Sequence, residues 1–238
     1  MMKTFYISFD DTDNLESPGT GHVLNKFLEM LPCESSFISR HQLSVNKDVP
    51  YTSHNSAMCS VVQGQITREE LICRAVEYLE ETLAPGADPG LCVADPDEIV
   101  SPELLVKWGY RAKKEVLTKN EAYELARSCG VHLSEHGGTG QGVVGALAAV
   151  GLRLAGQDGR VKGKKAVQSE ILSVAELLAQ TGFERVSCYG RGELPADAVI
   201  HTNGDRIKAV YQNFSSTVLV VPRADHYVLL GKDHLKCF

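Results

Sequence analysis

The chain has 238 residues, with 24 Lys+Arg against 30 Asp+Glu and a formal net charge of −6. Hydrophobic residues make up 43% and charged residues 23%, an ordinary globular composition that excludes intrinsic disorder and a long coiled coil. No apolar run approaches the roughly 18 residues of a membrane span, the N-terminus turns acidic at Asp10 too early for a signal-peptide core, and the acidic balance gives no reason to expect a nucleic-acid coat.

Lys3 to Phe9 is β-rich and ends abruptly in charge, the pattern of a buried strand. A polar loop spans Asp10 to Gly21, after which Val23, Leu24, Phe27, Leu28 and Leu31 recur at helical spacing. Strands are expected at Phe37 to Val45 and Ser56 to Val62, and an amphipathic helix at Thr67 to Leu83, opened by a Thr67/Glu70 capping box. Leu91 to Val93 is a short strand after Asp88-Pro89-Gly90. Ser101-Pro102 opens a helix to about Leu117, and a second, Asn120 to Ser128, stops at Gly130. Val131 to Leu133 is a weak strand. A glycine-dense loop, His136 to Gly142, leads into a small-residue helix reaching about Ala155. Gln157 to Lys165 is polar, basic and Gly-rich, as in an exposed turn or linker, and Ile171 to Gln180 is helical in pattern. Beyond Arg185 come short strands, Ala198 to His201, Ile207 to Tyr211, Thr217 to Val221 and Tyr227 to Leu230, with Asn203-Gly204 as a hairpin signal. The seven cysteines are scattered and contain no CxxC pair, so a zinc knuckle is not expected and the thiols read as reduced, placing the protein in the cytoplasm.

Three constellations carry chemistry. In Asp10-Asp11-Thr12-Asp13, three carboxylates within four residues repel one another, and nothing in local folding requires them. If the chain turns there, their oxygens converge on a hard cation such as Mg²⁺. Ser17-Pro18-Gly19-Thr20-Gly21 then precedes a helix, whose N-terminus and glycine backbone favour an anion. The alternative is a solvated acidic turn with Thr20 as the cap. The second constellation, His136 to Ala146, contains a GxGxxG at Gly140, Gly142 and Gly145. It lacks the strong preceding strand and the ribose-binding acid of a dinucleotide fold, leaving a phosphate-facing loop or close helix packing. The third, Val49 to Ala57 with Arg40-His41 one strand earlier, gathers hydroxyls, an imidazole and an amide, and reads equally as a hydrogen-bonded turn.

Together these segments resemble the archaeal tRNA agmatinylcytidine synthetase family. The likeness rests on Ile7 to Asp13, on Val49-Pro50-Tyr51 followed by Asn55-Ser56-Ala57, on Asp88-Pro89-Gly90, and above all on Gly140 to Gly151, and it covers roughly residues 3–155. It implies a kinase-like catalytic region with a ferredoxin-like insert, and a site for ATP and Mg²⁺ with Asp10, Asp11 and Asp13 in the metal or phosphate role. Departures are plain: the family's Cys-Thr pair is replaced by Gly21-His22, its basic residues after Pro-Tyr by Thr52, Ser53 and His54, and its OB-fold and zinc ribbon have no counterpart.

The sequence therefore predicts an α/β (α+β) protein with a mixed sheet. Residues 1–160 are the synthetase-like catalytic region with its ferredoxin-like insert, 161–186 a linker and helix, and 187–238 a small β module. The expected function is an ATP- and Mg²⁺-dependent enzyme of ligase or transferase type acting on a small molecule. Asp11 and Asp13 are catalytic, Asp10, Asp11 and Asp13 hold the metal, and Gly19, Thr20, Gly21, Gly138, Gly140 and Gly142 hold the nucleotide. Binding of nucleic acid by this chain alone is not expected: the charge is −6 and the one basic cluster is Arg160, Lys162, Lys164 and Lys165. A non-catalytic nucleotide sensor and an RNA-modifying subunit that needs a partner are the alternatives, and self-association into a homo-oligomer is compatible with all three.

Overall fold

The structure is a computed structural model and describes residues 2–46 and 55–238. Its elements are, in order, β1 (Lys3–Asp10), α1 (Thr20–Met30), β2 (Glu34–Ser35), β3 (Ser39–Gln42), β4 (Ser56–Gly64), α2 (Arg68–Thr82), β5 (Gly90–Ala94), α3 (Pro102–Ala112), α4 (Lys119–Cys129), β6 (His132–Glu135) and α5 (Gly142–Ala155). There follow β7 (Arg160–Val161), β8 (Ile171–Ser173), α6 (Val174–Thr181), β9 (Arg185–Cys188), β10 (Gly192–Glu193), β11 (Val199–His201), β12 (Val210–Gln212), β13 (Ser215–Pro222) and β14 (Tyr227–Leu229). The chain forms two compact units, Met1–Ala155 and Gly156–Phe238.

In the first unit the strand order is β6-β5-β1-β4-β3, and β2 also pairs with β4. All of these pairings are antiparallel. Residues 3–94 thus run β-α-β-β-α-β with neighbours β5-β1-β4-β3, the ferredoxin-like arrangement. The ferredoxin-like order expected of an inserted module belongs to the start of the chain and frames the whole unit. The strands pair both ways, as a mixed sheet requires: antiparallel throughout the first unit, with the parallel pairs in the second.

Alternation along β1 divides the core. Phe5, Ile7 and Phe9 point to one face and pack with Leu24, Phe27 and Leu28 of α1 and Leu71, Ala75 and Leu79 of α2. Tyr6 faces the opposite side, where α5 crosses the sheet and is covered in turn by α3 and α4. Because α5 is enclosed on both sides, it is apolar all round, and Val143 and Ala146 to Val150 are fully buried. Each fully buried Phe or Leu contributes about 1.5–3 kcal/mol relative to exposure, so the two faces of the sheet supply most of the cohesion.

Local signals set most helix ends. Both halves of the Thr67/Glu70 capping box form, as do those of Thr118/Glu121 and Ser173/Glu176, and Gly130 ends α4 in the left-handed region. The helix expected to reach Leu117 stops at Ala112, because the Ser44 N–H takes the Ala112 carbonyl that the next turn would use. The strand expected over Phe37 to Val45 is confined to Ser39–Gln42. The Val49 to Ala57 motif lies outside the described residues as far as His54.

In the second unit the order is β7-β12-β13-β14-β11-β8, with β9 alongside β13 and β10 alongside β9. The β13/β9 and β11/β14 pairs are parallel and the others antiparallel. Residues 157–165, read as an exposed linker, place Asp158 and Val161 in the interior and carry β7, which pairs with β12. The segment from Ile171 starts as a strand, since the Ser173 cap delays the helix to Val174. Asn203 and Gly204 both have positive φ, as their sequence demands, yet β11 pairs with β14 and β8, so no hairpin forms there.

One position tests the central layer. A Cβ on Gly151 would lie 1.9 Å from the Leu105 carbonyl oxygen, where α3 crosses α5. Alanine would favour the helix by about 1 kcal/mol, but the overlap is with backbone and forces the helices apart at about 1–3 kcal/mol or more. Gly151→Ala should therefore lower the urea midpoint of the protein, and an unchanged or raised midpoint would refute this close crossing.

Candidate active site

β1 ends in Asp10, whose parity in the strand places it on the α5 side with Tyr6 and Ser8. A Cβ on Gly145 would stand 1.8 Å from Asp10 Oδ2, so the helix approaches this carboxyl at a glycine, and a side chain there would have to displace it. The chain then turns at Asp11, which has φ +51°, a left-handed conformation that Asp and Asn tolerate better than other side-chain-bearing residues. That turn carries Asp10 and Asp11 out of strand alternation, as the acid run required.

Asp13 caps α1. Its Oδ1 accepts the Thr20 N–H at 3.0 Å and the Thr20 hydroxyl at 2.7 Å. The helix needs this distant cap because the residue before it, Gly19, has no side chain to supply one. Thr20 and Gly21 are buried in the first turn, and open space surrounds the position of a Cβ on Gly19. Asn14 Oδ1 accepts the N–H groups of Glu16 and Ser17, each at 2.9 Å, and fixes the rest of the loop.

The two glycine-bearing loops meet through Asp88. Its N–H donates to the Asp11 carbonyl at 3.0 Å, and its carboxylate accepts the Thr139 hydroxyl and the Gly140 N–H. Gly138 and Gly140 both have positive φ, and a Cβ on Gly142 would lie 2.1 Å from the Asp88 carbonyl oxygen. The GxGxxG is thereby explained without a dinucleotide fold. Gly140 and Gly142 fit the loop around Asp88, Gly145 fits the helix around Asp10, and β6 is an antiparallel strand at the end of the sheet order. Lys119 stands beside this loop, its ammonium 2.7 Å from the Thr139 carbonyl and 3.0 Å from Glu135.

The result is a concentration of negative charge. Burial, then the neighbouring Asp11, Asp13 and Asp88, holds the Asp10 carboxyl well above the ordinary range. Burial, then Asp88 and Asp13, pushes Asp11 up to about 6. In the sequence Asp88 stands out only as part of an Asp-Pro-Gly turn, and no spacing rule links it to residues 139 and 140, some fifty positions later. Arg40 and His41, by contrast, belong to β3: Arg40 bonds Ser56 Oγ at 2.9 Å and the buried His41 bonds Ser39 Oγ at 2.7 Å.

Asp10, Asp11 and Asp13 are not assembled into one ligand group. Among the described residues no three His, Cys, Asp or Glu side chains stand ready to hold a metal ion by themselves. Asp13 is committed to Thr20. The remaining acids still suit a hard cation that brings its own oxygens, as Mg²⁺ does with waters and phosphates. The buried Thr12 Oγ1 between them has no hydrogen-bond partner, a polar atom placed where a ligand would satisfy it.

No family model matches the chain. The chain aligns over 95% of its length with the tRNA 2-agmatinylcytidine synthetase TiaS of Pyrococcus horikoshii, at 23% identity, and spans about half (50%) of that protein. Among solved structures, its fold is like that of TiaS in complex with tRNA and ATP, with TM-score 0.53 and 24% identity over 63% of this chain and 36% of that one. It is also like that of TiaS in complex with tRNA, AMPCPP and agmatine, with TM-score 0.54 and 20% identity over 73% and 43% of the two chains. A tRNA fluorescent labeling enzyme matches with TM-score 0.55 and 21% identity over 71% and 40%. No helix among the described residues is long and apolar enough to cross a membrane.

The charge of the site predicts a stability effect of definite sign. A carboxyl raised in the folded state contributes stability that is present below about pH 4 and is lost as pH rises through the folded value of about 6. Asp11→Asn keeps the left-handed turn and removes the charge, so at pH 7.5 the ligand-free variant should exceed the wild type by about 1–2 kcal/mol, after discounting for solvent screening. At pH 4 the difference should vanish. Thermal melts at the two pH values measure it, and a variant less stable at pH 7.5 would show the acid to be structural.

Proposed function

We propose that this chain, a distant homologue of the tRNA 2-agmatinylcytidine synthetase TiaS that covers the N-terminal half of that enzyme, is an ATP-dependent enzyme whose site lies between the Asp10–Gly21 and His136–Gly142 loops. The observation that carries the reading is the junction itself. Two loops, each opening a helix, are tied by Asp88, and the acids they enclose are held above their ordinary protonation range by burial and mutual repulsion.

Phosphoryl and nucleotidyl transfer depend chiefly on positioning and charge stabilisation, which acids and backbone N–H groups provide without a dedicated nucleophile. In this reading Asp10 and Asp11 would hold Mg²⁺, which would neutralise charge on the nucleotide phosphates. Asp13, through Thr20, keeps the first turn of α1 in place. Gly19, with open space where a side chain would stand, lets a phosphate oxygen approach the backbone, whereas the same space at Gly138, Gly140 and Gly142 is taken by Asp88 and Glu135. Thr12 offers its spare hydroxyl.

The acceptor is a small molecule in this proposal, because a surface of net charge −6 lacks the cationic coat that nucleic-acid phosphates select. A second reading, an RNA-modifying subunit that works with a partner, is favoured by one observation: solved structures of similar fold include tRNA complexes of a protein about twice as long. RNA filter binding at low salt distinguishes the two. Salt-dependent affinity of this chain alone would overturn the small-molecule reading.

Titration calorimetry with ATP and Mg²⁺ should show binding that strengthens as pH rises through about 6, since Asp11 must ionise to meet a cation. Asp11→Asn should weaken Mg²⁺-dependent binding at least tenfold while the protein remains folded. Absence of binding by the wild type at millimolar Mg-ATP would refute the proposal. Product analysis then separates ADP from AMP and pyrophosphate, and so phosphoryl from nucleotidyl transfer.

A further inference from the structure

β6 carries a side-chain arrangement that the acid site does not use. His132 and Ser134 share one face of it, and His136 follows just past its last residue, Glu135. Their side chains bond in series: His132 Nε2 lies 2.9 Å from Ser134 Oγ, which lies 2.7 Å from His136 Nε2. A hydroxyl has one proton, so it donates to one imidazole and accepts an N–H from the other. Opposite them on β5 stand Leu91 and Val93, which places the row on the α2 side of the sheet. Among the described residues β6 pairs with β5 alone, and Ser134 is half-buried, not enclosed in the core.

The two imidazoles have different surroundings. Burial keeps both below the ordinary histidine value, so each is a neutral base near pH 7. Arg68 at the start of α2 opposes a positive charge on His132, whereas Glu80 of α2 and the adjacent Glu135 favour one on His136. A proton leaving Ser134 is therefore better accommodated by His136. A hydroxyl within hydrogen-bond reach of a neutral imidazole, and held by a second partner, is the arrangement of an activated nucleophile.

We propose that Ser134 is a nucleophilic serine, with His136 as its general base and His132 orienting the hydroxyl, and that it takes acyl groups from small activated esters. Ser134 Oγ attacks the ester carbonyl carbon while its proton passes to His136 Nε2. The carbon–oxygen bond to the leaving group breaks, and the departing oxygen recovers that proton as an alcohol or phenol. Water, giving its proton to the same imidazole, attacks the acyl-serine. The carboxylic acid is released and the proton returns to Ser134. No nucleotide enters this sequence, so the result stands apart from that of Mg-ATP titration.

The test uses the full chain, a fluorophosphonate probe and p-nitrophenyl acetate. Peptide mass spectrometry should find one phosphonyl adduct, on Ser134, forming at a rate that reaches a plateau by about pH 7. Ser134→Ala should reduce labelling and ester hydrolysis to background. His136→Gln should slow both by roughly 10²-fold, and His132→Gln by less. No adduct on Ser134 after prolonged treatment, or unchanged rates in His136→Gln, overturns the proposal. Should Ser134→Ala fail to fold, Ser134→Cys poses the same question. Between two imidazoles its thiol should alkylate with iodoacetamide at pH 6.5 at least tenfold faster than the exposed Cys73, and a rate no greater than that of Cys73 counts against a nucleophilic position.

Discussion

The first unit is organised around one carboxylate. Asp88 receives the Thr139 hydroxyl and the Gly140 N–H through its side chain while its own N–H holds the Asp11 carbonyl. Two loops that each carry polar, charged and glycine residues, and that have little apolar surface to bury, are given a defined geometry by this junction. The loop backbone must satisfy its donors somewhere, and a carboxylate accepting both a hydroxyl and an N–H gives stronger bonds than a neutral acceptor could. α5 begins where the junction ends, so the position of the buried helix follows from it.

That helix imposes the second constraint. It lies closely enough against its neighbours that a side chain would collide at Gly142 with the Asp88 loop, at Gly145 with Asp10 at the end of β1, and at Gly151 with Leu105 of α3. Glycines inside a helix cost roughly 1 kcal/mol each in propensity, a cost recovered by the packing they permit. Close approach also has an electrostatic effect. By covering Asp10, α5 removes the water that would solvate its carboxylate, so the protonation of the site and the packing of the core are one problem.

Part of this was legible in the sequence. The acid run ending β1, the capping box of α2, the Gly130 stop and the small-residue character of α5 all have local causes, and local causes leave local marks. What was not legible arises from pairing. The β5-β1-β4-β3 order, the meeting of residue 88 with residues 139 and 140, and the shortening of α3 by the Ser44 N–H depend on partners far away in sequence. The glycine spacing at 140, 142 and 145 showed where the backbone is crowded but not by what. Asp13 illustrates the same limit in reverse. Its type and position suggested a metal ligand, whereas its carboxylate caps α1 because Gly19 cannot. In the second unit, Asn203-Gly204 adopts the turn that its residues specify, but β11 finds its partners elsewhere.

A site of this kind sets stability against function. Burying Asp10 and holding Asp11 near Asp88 and Asp13 costs folding free energy at neutral pH, and apolar residues there would give a more stable protein. In the proposed function a bound cation would offset that cost directly. Each carboxylate that ionises towards a metal exchanges a repulsive environment for an attractive one, and any ligand that binds only the folded state adds stability in proportion to the logarithm of its concentration over its dissociation constant. The histidine–serine row at the end of β6 presents the opposite case. Its groups are neutral near pH 7, are satisfied by one another, and place no comparable charge burden on the fold. Stability linked to ligand should therefore reside in the acid site and not in the row. A cation that raised the melting temperature of Asp11→Asn as much as that of the wild type would be binding elsewhere.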